Sequence, residues 1–239
     1  MHEFYEISEK LNAKPFRLTG YITAAILFSA NSSQYSYCTG QAASLTLVPL
    51  AFIFILGLFS KNEKPIQDMA FTIFGVVYVG LSFSLLNRIS WIQPGVNNGK
   101  MFPGNDYNFH LVLGPILLIW ASDSFAYLVG SMIGKRKLHE RISPGKTWEG
   151  TIGGGVLTMA SSYIVAGWFP EIEFKHWLVI SLLVVVFGTL GDLFESLLKR
   201  QAGIKDSGKI MPGHGGILDR FDSLMLVTPF VYLYLNWVL

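Results

Sequence analysis

The chain has little charge. Asp, Glu, Lys and Arg make up 14% of its 239 residues, and the net charge is +2. Soluble globular domains carry roughly 25% charged residues. So small a net charge gives no sign of a nucleic-acid partner, and none is expected. With 51% hydrophobic residues and a mean hydropathy of +0.43, the composition favours a membrane protein over a soluble domain.

Charged residues are missing altogether from five long runs: residues 18–60, 69–87, 151–170, 177–191 and 223–239. A membrane-spanning helix needs about 20 mostly apolar residues, and only helices or closed barrels satisfy their backbone groups in lipid. The apolar residues are continuous rather than alternating, which favours helices. We therefore predict an all-α, polytopic transmembrane bundle of about seven spans. The predicted spans are residues 17–33, 43–60, 67–87, 110–133, 151–169, 176–198 and 222–239.

Three common signals are also absent. Cys38 is the single cysteine, so there is no disulfide framework. Residues Met1–Lys14 lack the basic and apolar regions of a signal peptide. Gly145–Thr147 resembles the end of a P-loop, but the first glycine of that motif would fall on Glu140, and no apolar strand precedes it.

The basic residues concentrate in two loops, 135–150 and 199–222. Each of these loops holds five Lys or Arg residues, whereas loops 91–110 and 170–176 hold one each. Short cytoplasmic loops carry the excess of Lys and Arg. We therefore expect both basic loops, the N-terminus and Lys61–Lys64 on the cytoplasmic side, with the last span ending outside.

Four polar residues precede loop 199–222 at helical spacing. Asp192, Glu195, Ser196 and Lys199 follow the i, i+3, i+4, i+7 pattern, so they share one helix face. A charged side chain at the centre of a membrane helix costs about 3 kcal/mol on insertion scales, which makes it a functional candidate. The alternative is a structural ion pair between Asp192 and Lys199 or Arg200.

Loop 199–222 is rich in glycine as well as in cations. Four glycines and Pro212 lie within residues 208–216, a composition that excludes a helix interior. Exposed backbone N–H groups together with Lys205 and Lys209 are suited to binding phosphate oxygens. A flexible, solvated linker is the alternative interpretation.

Asp219 and Asp222 open the final span at i, i+3 spacing. The helix dipole favours carboxylates in a first turn, so N-terminal capping is the plain alternative. With Asp192 from the preceding span they form a set of oxygen donors. Mg²⁺ is usually held by one or two carboxylates plus substrate phosphates. We predict a Mg²⁺ site formed by these three residues. Whether a second cation binds there is left open by the sequence.

Asp123 lies inside the predicted span 110–133, on the same face as Tyr127, Gly130 and Gly134. Small residues along one face allow close packing on another helix. An acidic residue inside a span is a functional candidate by default. A buried hydrogen bond to Tyr or Ser is the alternative.

The other basic loop contains Ser143-Pro144 followed by Glu149, a pattern typical of a helix start leading into the span 151–169. Lys146 within it is equally compatible with binding phosphate and with anchoring the loop at the membrane surface.

Taken together, these motifs resemble the signature of the phosphatidate cytidylyltransferases, also called CDP-diacylglycerol synthases. The matching segments are Ser196–Arg200, Lys205-Asp206, Gly213–Gly216, Asp219–Asp222, Trp120–Tyr127 and Ser143–Gly150. Met211 stands where the family has Leu, Ile or Phe, and Gly145 stands where a lysine is common, which removes one phosphate contact. The resemblance covers residues 65–239 well and the N-terminal part loosely.

The resemblance implies an integral membrane nucleotidyltransferase of phospholipid biosynthesis. It would convert CTP and phosphatidic acid to CDP-diacylglycerol and pyrophosphate, with Mg²⁺, at the cytoplasmic side of a bacterial-type plasma (inner) membrane. The expected catalytic residues are Asp192, Asp219, Asp222, Lys199 and Asp123. The expected substrate-binding residues are Lys146, Ser196, Arg200, Lys205, Lys209, His214, Gly215, Gly216 and Arg220. His214 either donates to a phosphate or only shapes the turn, and a homodimer stays an open question.

The resemblance also divides the chain. Residues 1–110 would hold the N-terminal spans, and residues 111–239 the catalytic membrane region with loops 135–150 and 199–222. Because the first residues resemble a loop that follows two earlier spans in the family, we expect the chain to lack the family's first two helices. Two rival functions remain: another CTP-dependent lipid enzyme of the polyprenol kinase type, and a secondary transporter. Transporters place polar sites near the midplane, whereas these cluster at one rim.

Overall fold

The computed structural model describes residues 1–32, 44–92, 96–97, 100–101, 107–208 and 215–239. The predictions for Lys209 and His214 lie outside these ranges. The helices are α1 (His2–Lys10), α2 (Arg17–Ala30), α3 (Leu47–Leu58), α4 (Pro65–Ile89), α5 (His110–Ile133), α6 (Trp148–Trp168), α7 (Phe174–Gln201) and α8 (Leu218–Val238). The strands are β1 (Val96–Asn97), β2 (Lys100–Met101), β3 (Lys137–His139) and β4 (Ser143–Thr147), paired as two antiparallel hairpins.

Within the described ranges, four helices are long and apolar enough to cross a membrane: α4, α5, α7 and α8. The all-α bundle is therefore confirmed, but the count of about seven spans is not. Helices α2 and α3 have 14 and 12 residues, fewer than the roughly 20 that a helix needs to cross the hydrocarbon core. Helix α6 has 21 residues, but three consecutive glycines and several hydroxyl side chains lower its hydropathy.

Helix α4 is continuous but not uniform. It runs as an α-helix to Gly75, as a π-helix over Val76–Leu81 and as an α-helix again to Ile89. Single π-helical turns are uncommon and re-aim the side chains that follow them. Just after this one, the Ser82 hydroxyl donates a 2.7 Å hydrogen bond to the carbonyl oxygen of Met225, which ties α4 to α8.

Helix α1 is packed into the bundle rather than lying free as a terminal segment. Phe4 and Tyr5 are fully buried, and they belong to an apolar cluster that includes Tyr78, Leu198 and Leu218. Burying a large apolar side chain contributes about 1.5–3 kcal/mol. The N-terminus is therefore fixed against α4, α7 and α8 at one end of the bundle.

The expected helix start at Ser143-Pro144 is wrong. Ser143–Thr147 is strand β4, paired with β3 through Lys137 opposite Thr147 and His139 opposite Ser143. A residue before proline is biased towards extended backbone, which suits a strand better than a helix. Helix α6 begins at Trp148, where the Oγ1 of Thr147 accepts a 3.2 Å hydrogen bond from the N–H of Gly150 as its N-cap.

Candidate active site

Small residues bring α5 and α6 into backbone contact; Gly130 of the predicted stripe takes part, since a Cβ added at Gly150 would lie 2.9 Å from its Cα. A Cβ added at Gly154 would lie 2.6 Å from the Cα of Ala126, and one at Gly150 would lie 2.7 Å from the carbonyl oxygen of Ala126. Only glycine fits at either position. Asp123 lies one turn before Ala126 on α5, so this close approach fixes its position relative to α6.

A similar contact joins α7 to α8. A Cβ added at Gly191 would lie 2.7 Å from the carbonyl oxygen of Asp222 and 3.0 Å from the Cα of Ser223. Asp192 follows this glycine directly, so the crossing point of the two helices places Asp192 and Asp222 next to each other. The Oδ1 of Asp222 accepts a 2.6 Å hydrogen bond from the N–H of Ser223.

A cavity of about 450 Å³ lies between α5, β4, the start of α6 and α7. Its charged lining consists of Asp123, Lys146 and Asp192. Lys146 forms an ion pair with Asp192, and both side chains are 26% exposed. Lys146 is therefore turned into the cavity, and the ion-pair partner of Asp192 is Lys146 rather than Lys199 or Arg200. The other oxygen of Asp192 accepts a 3.2 Å hydrogen bond from the Ser196 hydroxyl.

Among the described residues, carboxyl groups outnumber basic groups around this cavity. The charges close enough to Asp222 to act on it include Asp192, Asp123 and Lys146. Three carboxyl groups and one lysine therefore lie close together, and an excess of carboxyl groups attracts cations.

A second ionic cluster lies one turn further along α7. The Nζ of Lys199 donates a 2.6 Å hydrogen bond to Oδ1 of Asp219 and lies 2.7 Å from Oε2 of Glu195. Glu195 is fully buried and the Lys199 side chain is 15% exposed. Lys199 therefore links α7 to the first turn of α8.

The second carboxylate oxygen of Asp219 accepts hydrogen bonds from residues that precede α8. Its Oδ2 accepts hydrogen bonds from the N–H of Ser207 at 2.9 Å and from the N–H of Gly216 at 2.8 Å, and the Ser207 hydroxyl oxygen lies 3.0 Å from it. Both oxygens of Asp219 therefore have protein donors. The N–H of Gly216, which the sequence suggested for phosphate, is directed to Asp219 instead.

No three His, Cys, Asp or Glu side chains in the described ranges lie close enough together to hold a metal ion. The metal site of Asp192, Asp219 and Asp222 therefore stays a prediction. Asp192 and Asp222 meet at the helix crossing, whereas Asp219 faces Lys199 and the preceding loop.

The remaining predicted binding residues lie at the same end of the bundle. Arg200, Lys205 and Arg220 are exposed. The Nε of Arg200 donates a 3.4 Å hydrogen bond to the carbonyl oxygen of Ile142, which joins the two basic loops. Gly215 has a φ of +80°, in the left-handed region that strongly favours glycine.

Glu149 supports the β3–β4 hairpin from the first turn of α6. Its Oε2 accepts 3.1 Å hydrogen bonds from the N–H groups of Lys135 and Arg136. The N–H of Glu149 itself, followed by these two, lowers the pKa of the Glu149 carboxyl below its ordinary value. The carboxylate thus fixes the loop that carries Lys146.

Sequence reasoning missed Glu3 and Ser207. The Glu3 carboxylate is buried and accepts hydrogen bonds from the N–H groups of Ile217 and Leu218. Its partners lie more than 200 positions away along the chain, so no local pattern indicates the contact. The amphipathic pattern of α1, which was not used, is the local signal that could have indicated a packed helix.

Comparison with known proteins identifies relatives along the whole chain. A model of the cytidylyltransferase family matches residues 1–238. The phosphatidate cytidylyltransferase of Bacillus subtilis (strain 168) is 36% identical over 234 residues, which cover 95% of this chain and 82% of the relative. Those of Staphylococcus haemolyticus and Staphylococcus saprophyticus are 38% and 37% identical over 187 residues, which cover 77% of this chain and 66% of each relative.

Proposed function

Because this chain belongs to the cytidylyltransferase family, we propose that it is a membrane nucleotidyltransferase that makes CDP-diacylglycerol and pyrophosphate from CTP and phosphatidic acid. The names of its relatives support this activity. The observation that carries the proposal within the structure is the cavity between α5 and α7. There Lys146, Asp123 and Asp192 converge beside Asp222.

In the proposed reaction, a phosphate oxygen of phosphatidic acid attacks the α-phosphorus of CTP. A new P–O bond forms to the lipid, and the bond from the α-phosphorus to the bridging oxygen breaks, so pyrophosphate leaves with that electron pair. Such transfers depend on positioning and charge neutralisation more than on covalent participation by the protein. The cavity supports this reaction because it presents a lysine between fixed carboxylates.

Lys146 is assigned to the triphosphate. Its ion pair with Asp192 keeps the ammonium group directed into the cavity before substrate arrives. The exposed residues Arg200, Lys205 and Arg220 are assigned to neutralising the phosphates of CTP and lipid at the same end of the bundle. Lys199 is assigned to holding Asp219 at the start of α8.

Mg²⁺ fits the carboxylates beside the cavity. Asp123, Asp192 and Asp222 outnumber Lys146, and Mg²⁺ needs only one or two protein carboxylates when phosphates and water complete its coordination. We assign Asp192 and Asp222 as the primary ligands; Asp219, the third predicted ligand, would have to exchange its hydrogen bonds from Lys199 and Gly216 for the ion. Bound Mg²⁺ would supply neutralisation of the charge that develops on the triphosphate.

The proposed membrane orientation follows from the same residues. Loops 135–150 and 199–222 and helix α1 lie at one end of the bundle, since Arg200 contacts Ile142 and Glu3 contacts Ile217. Both loops are rich in Lys and Arg, which favours the cytoplasmic side of the plasma membrane. Phosphatidic acid would then enter sideways from the cytoplasmic leaflet.

Position-specific labelling of CTP tests the proposal. The purified chain is incubated in micelles with phosphatidic acid, Mg²⁺ and CTP labelled at either the α- or the γ-phosphate. We expect α-label in the lipid product and γ-label in pyrophosphate. Transfer of γ-label to a lipid would indicate a kinase of the polyprenol type instead, and no transfer with either label would refute the proposed activity.

A further inference from the structure

The carboxylate of Glu3 is a buried charged group to which the proposed reaction assigns no role. Glu3 is 5% exposed although it lies on α1, at the far end of the chain from the loop that it contacts. Burying a carboxylate costs free energy unless hydrogen bonds compensate it. The partners of Glu3 therefore indicate what the residue does.

Glu3 accepts three hydrogen bonds from the segment around α8. Its Oε1 accepts from the N–H of Ile217 at 2.9 Å. Its Oε2 accepts from the N–H of Leu218 at 2.7 Å and from the Ser207 hydroxyl at 3.1 Å. The first N–H groups of a helix have no partner within the helix, so Glu3 caps α8 from outside.

Two glycines of loop 199–222 leave room for this carboxylate. A Cβ at Gly208 would lie 2.6 Å from Oε1 of Glu3, and a Cβ at Gly216 would lie 2.6 Å from Oε2. Any side chain at either position would push Glu3 out of its place. These glycines therefore serve a contact within the protein.

Ser207 connects Glu3 to the ionic cluster of the site. Its hydroxyl lies within hydrogen-bond distance of both Oε2 of Glu3, at 3.1 Å, and Oδ2 of Asp219, at 3.0 Å. Asp219 in turn accepts from Lys199 at 2.6 Å. A displacement of Glu3 would thus be transmitted to the meeting point of α7 and α8.

We propose that Glu3 is a positioning residue for the transfer reaction: it fixes Ser207 and the start of α8, and thereby the place where Asp219 meets Lys199. This inference rests on the proposed function. Small errors in placing reacting groups are costly, and a 1 Å misplacement lowers rates by about a hundredfold in the strongest cases. Loss of Glu3 would therefore affect turnover at temperatures at which the protein is still folded.

The test compares Glu3→Gln, Ser207→Ala and the control Glu6→Gln in the full chain. Glu6 is on the same helix, but its side chain is 46% exposed and pairs with His2. Thermal unfolding first identifies a temperature at which every variant is folded, and kcat and KM for CTP and phosphatidic acid are measured there. We expect kcat to fall about tenfold in Glu3→Gln and about threefold in Ser207→Ala, with KM for phosphatidic acid unchanged in both.

The double variant sharpens the result. Because both residues act through one network, Glu3→Gln with Ser207→Ala should have the kcat of Glu3→Gln alone, within about twofold. A folded Glu3→Gln protein with the kcat of wild type would overturn the inference, even if its melting temperature is lower. If Glu3→Gln cannot be purified folded, an unchanged kcat in Ser207→Ala overturns it and a threefold fall supports it. Absence of product from the wild-type chain would instead refute the proposed function.

Discussion

The two halves of the site are held together by different forces. On the side of α5 and α6, Gly150 and Gly154 allow the backbone of α6 to contact that of α5 at Ala126. On the side of α7 and α8, buried ionic groups hold the two helices together, since Lys199 pairs with both Glu195 and Asp219. The first half depends on shape and the second on charge. Adding a methyl group at a contact glycine should therefore destabilise the first half, and removing a single charge should destabilise the second.

Loss of a cation from the charged half should have the largest effect. Lys199→Met leaves Glu195 and Asp219 facing each other without their shared partner. Removing one member of a buried ion pair costs about 3–5 kcal/mol, and we expect that loss in the free energy of unfolding measured in detergent. The variant Lys175→Met is the control, since Lys175 pairs with Glu173 at an exposed position. Equal stability of the two variants would contradict a charge-held half.

Asp192→Asn tests the place where the two halves meet. Its effect on product formation should be larger than its effect on stability. The Asp192 side chain is 26% exposed, more than Glu195 or Lys199, so the exchange should lower the melting temperature less than Lys199→Met does. Formation of CDP-diacylglycerol should fall by about a hundredfold or more, as for other groups that stabilise charge in a transition state. Glu173→Gln, at an exposed position, should keep wild-type activity. Product formation near wild type in Asp192→Asn would exclude Asp192 from the reaction.

Gly154→Ala should damage the half that depends on shape. The added Cβ would lie 2.6 Å from the Cα of Ala126, so α5 and α6 must separate. Overpacking of this kind costs about 1–3 kcal/mol. Gly167→Ala in the same helix is a matched control, since nothing lies within 4 Å of its added Cβ. We expect thermal unfolding to show a loss for the first variant and none for the second, and equal losses would contradict backbone contact.

The smallest expected effect concerns the hairpin that carries Lys146. Hydrogen bonds lower the pKa of Glu149 in the folded protein below its value in the unfolded chain. Its contribution is therefore complete above the unfolded pKa and is lost as the pH falls through the folded pKa. Melting temperatures measured between neutral and acidic pH should decline slightly more for wild type than for Glu149→Gln. Parallel curves would show that the carboxylate contributes nothing.

The spans were predictable where hydropathy alone determines them. The predicted span 67–87 corresponds to Pro65–Ile89, and span 110–133 corresponds to His110–Ile133. The β3–β4 hairpin was missed because the pattern at Ser143-Pro144 is shared by helix starts and strands. Local spacing cannot distinguish a helix start from a strand when pairing with another strand determines the backbone conformation.

The helix positions of the candidate-site residues were predictable from the sequence, but their pairings were not. The spacing of Asp192 and Lys199 on one helix face is correct, yet Asp192 pairs with Lys146 and Lys199 pairs with Asp219. Both pairs join different helices or loops, so they depend on packing that no window of sequence contains. The contact of Glu3 with Ile217 is the extreme case.

Binding of CTP tests most directly whether the two halves form one site. Thermal unfolding is measured with and without CTP and Mg²⁺ for wild type, Lys146→Met from the first half and Asp192→Asn from the second. Ligand at a hundred times its Kd stabilises a protein by about 2.7 kcal/mol. We expect that gain in wild type and its loss in both variants, each compared with its own melting temperature in the absence of ligand. Full stabilisation of both variants by CTP would place the nucleotide elsewhere and contradict a shared site.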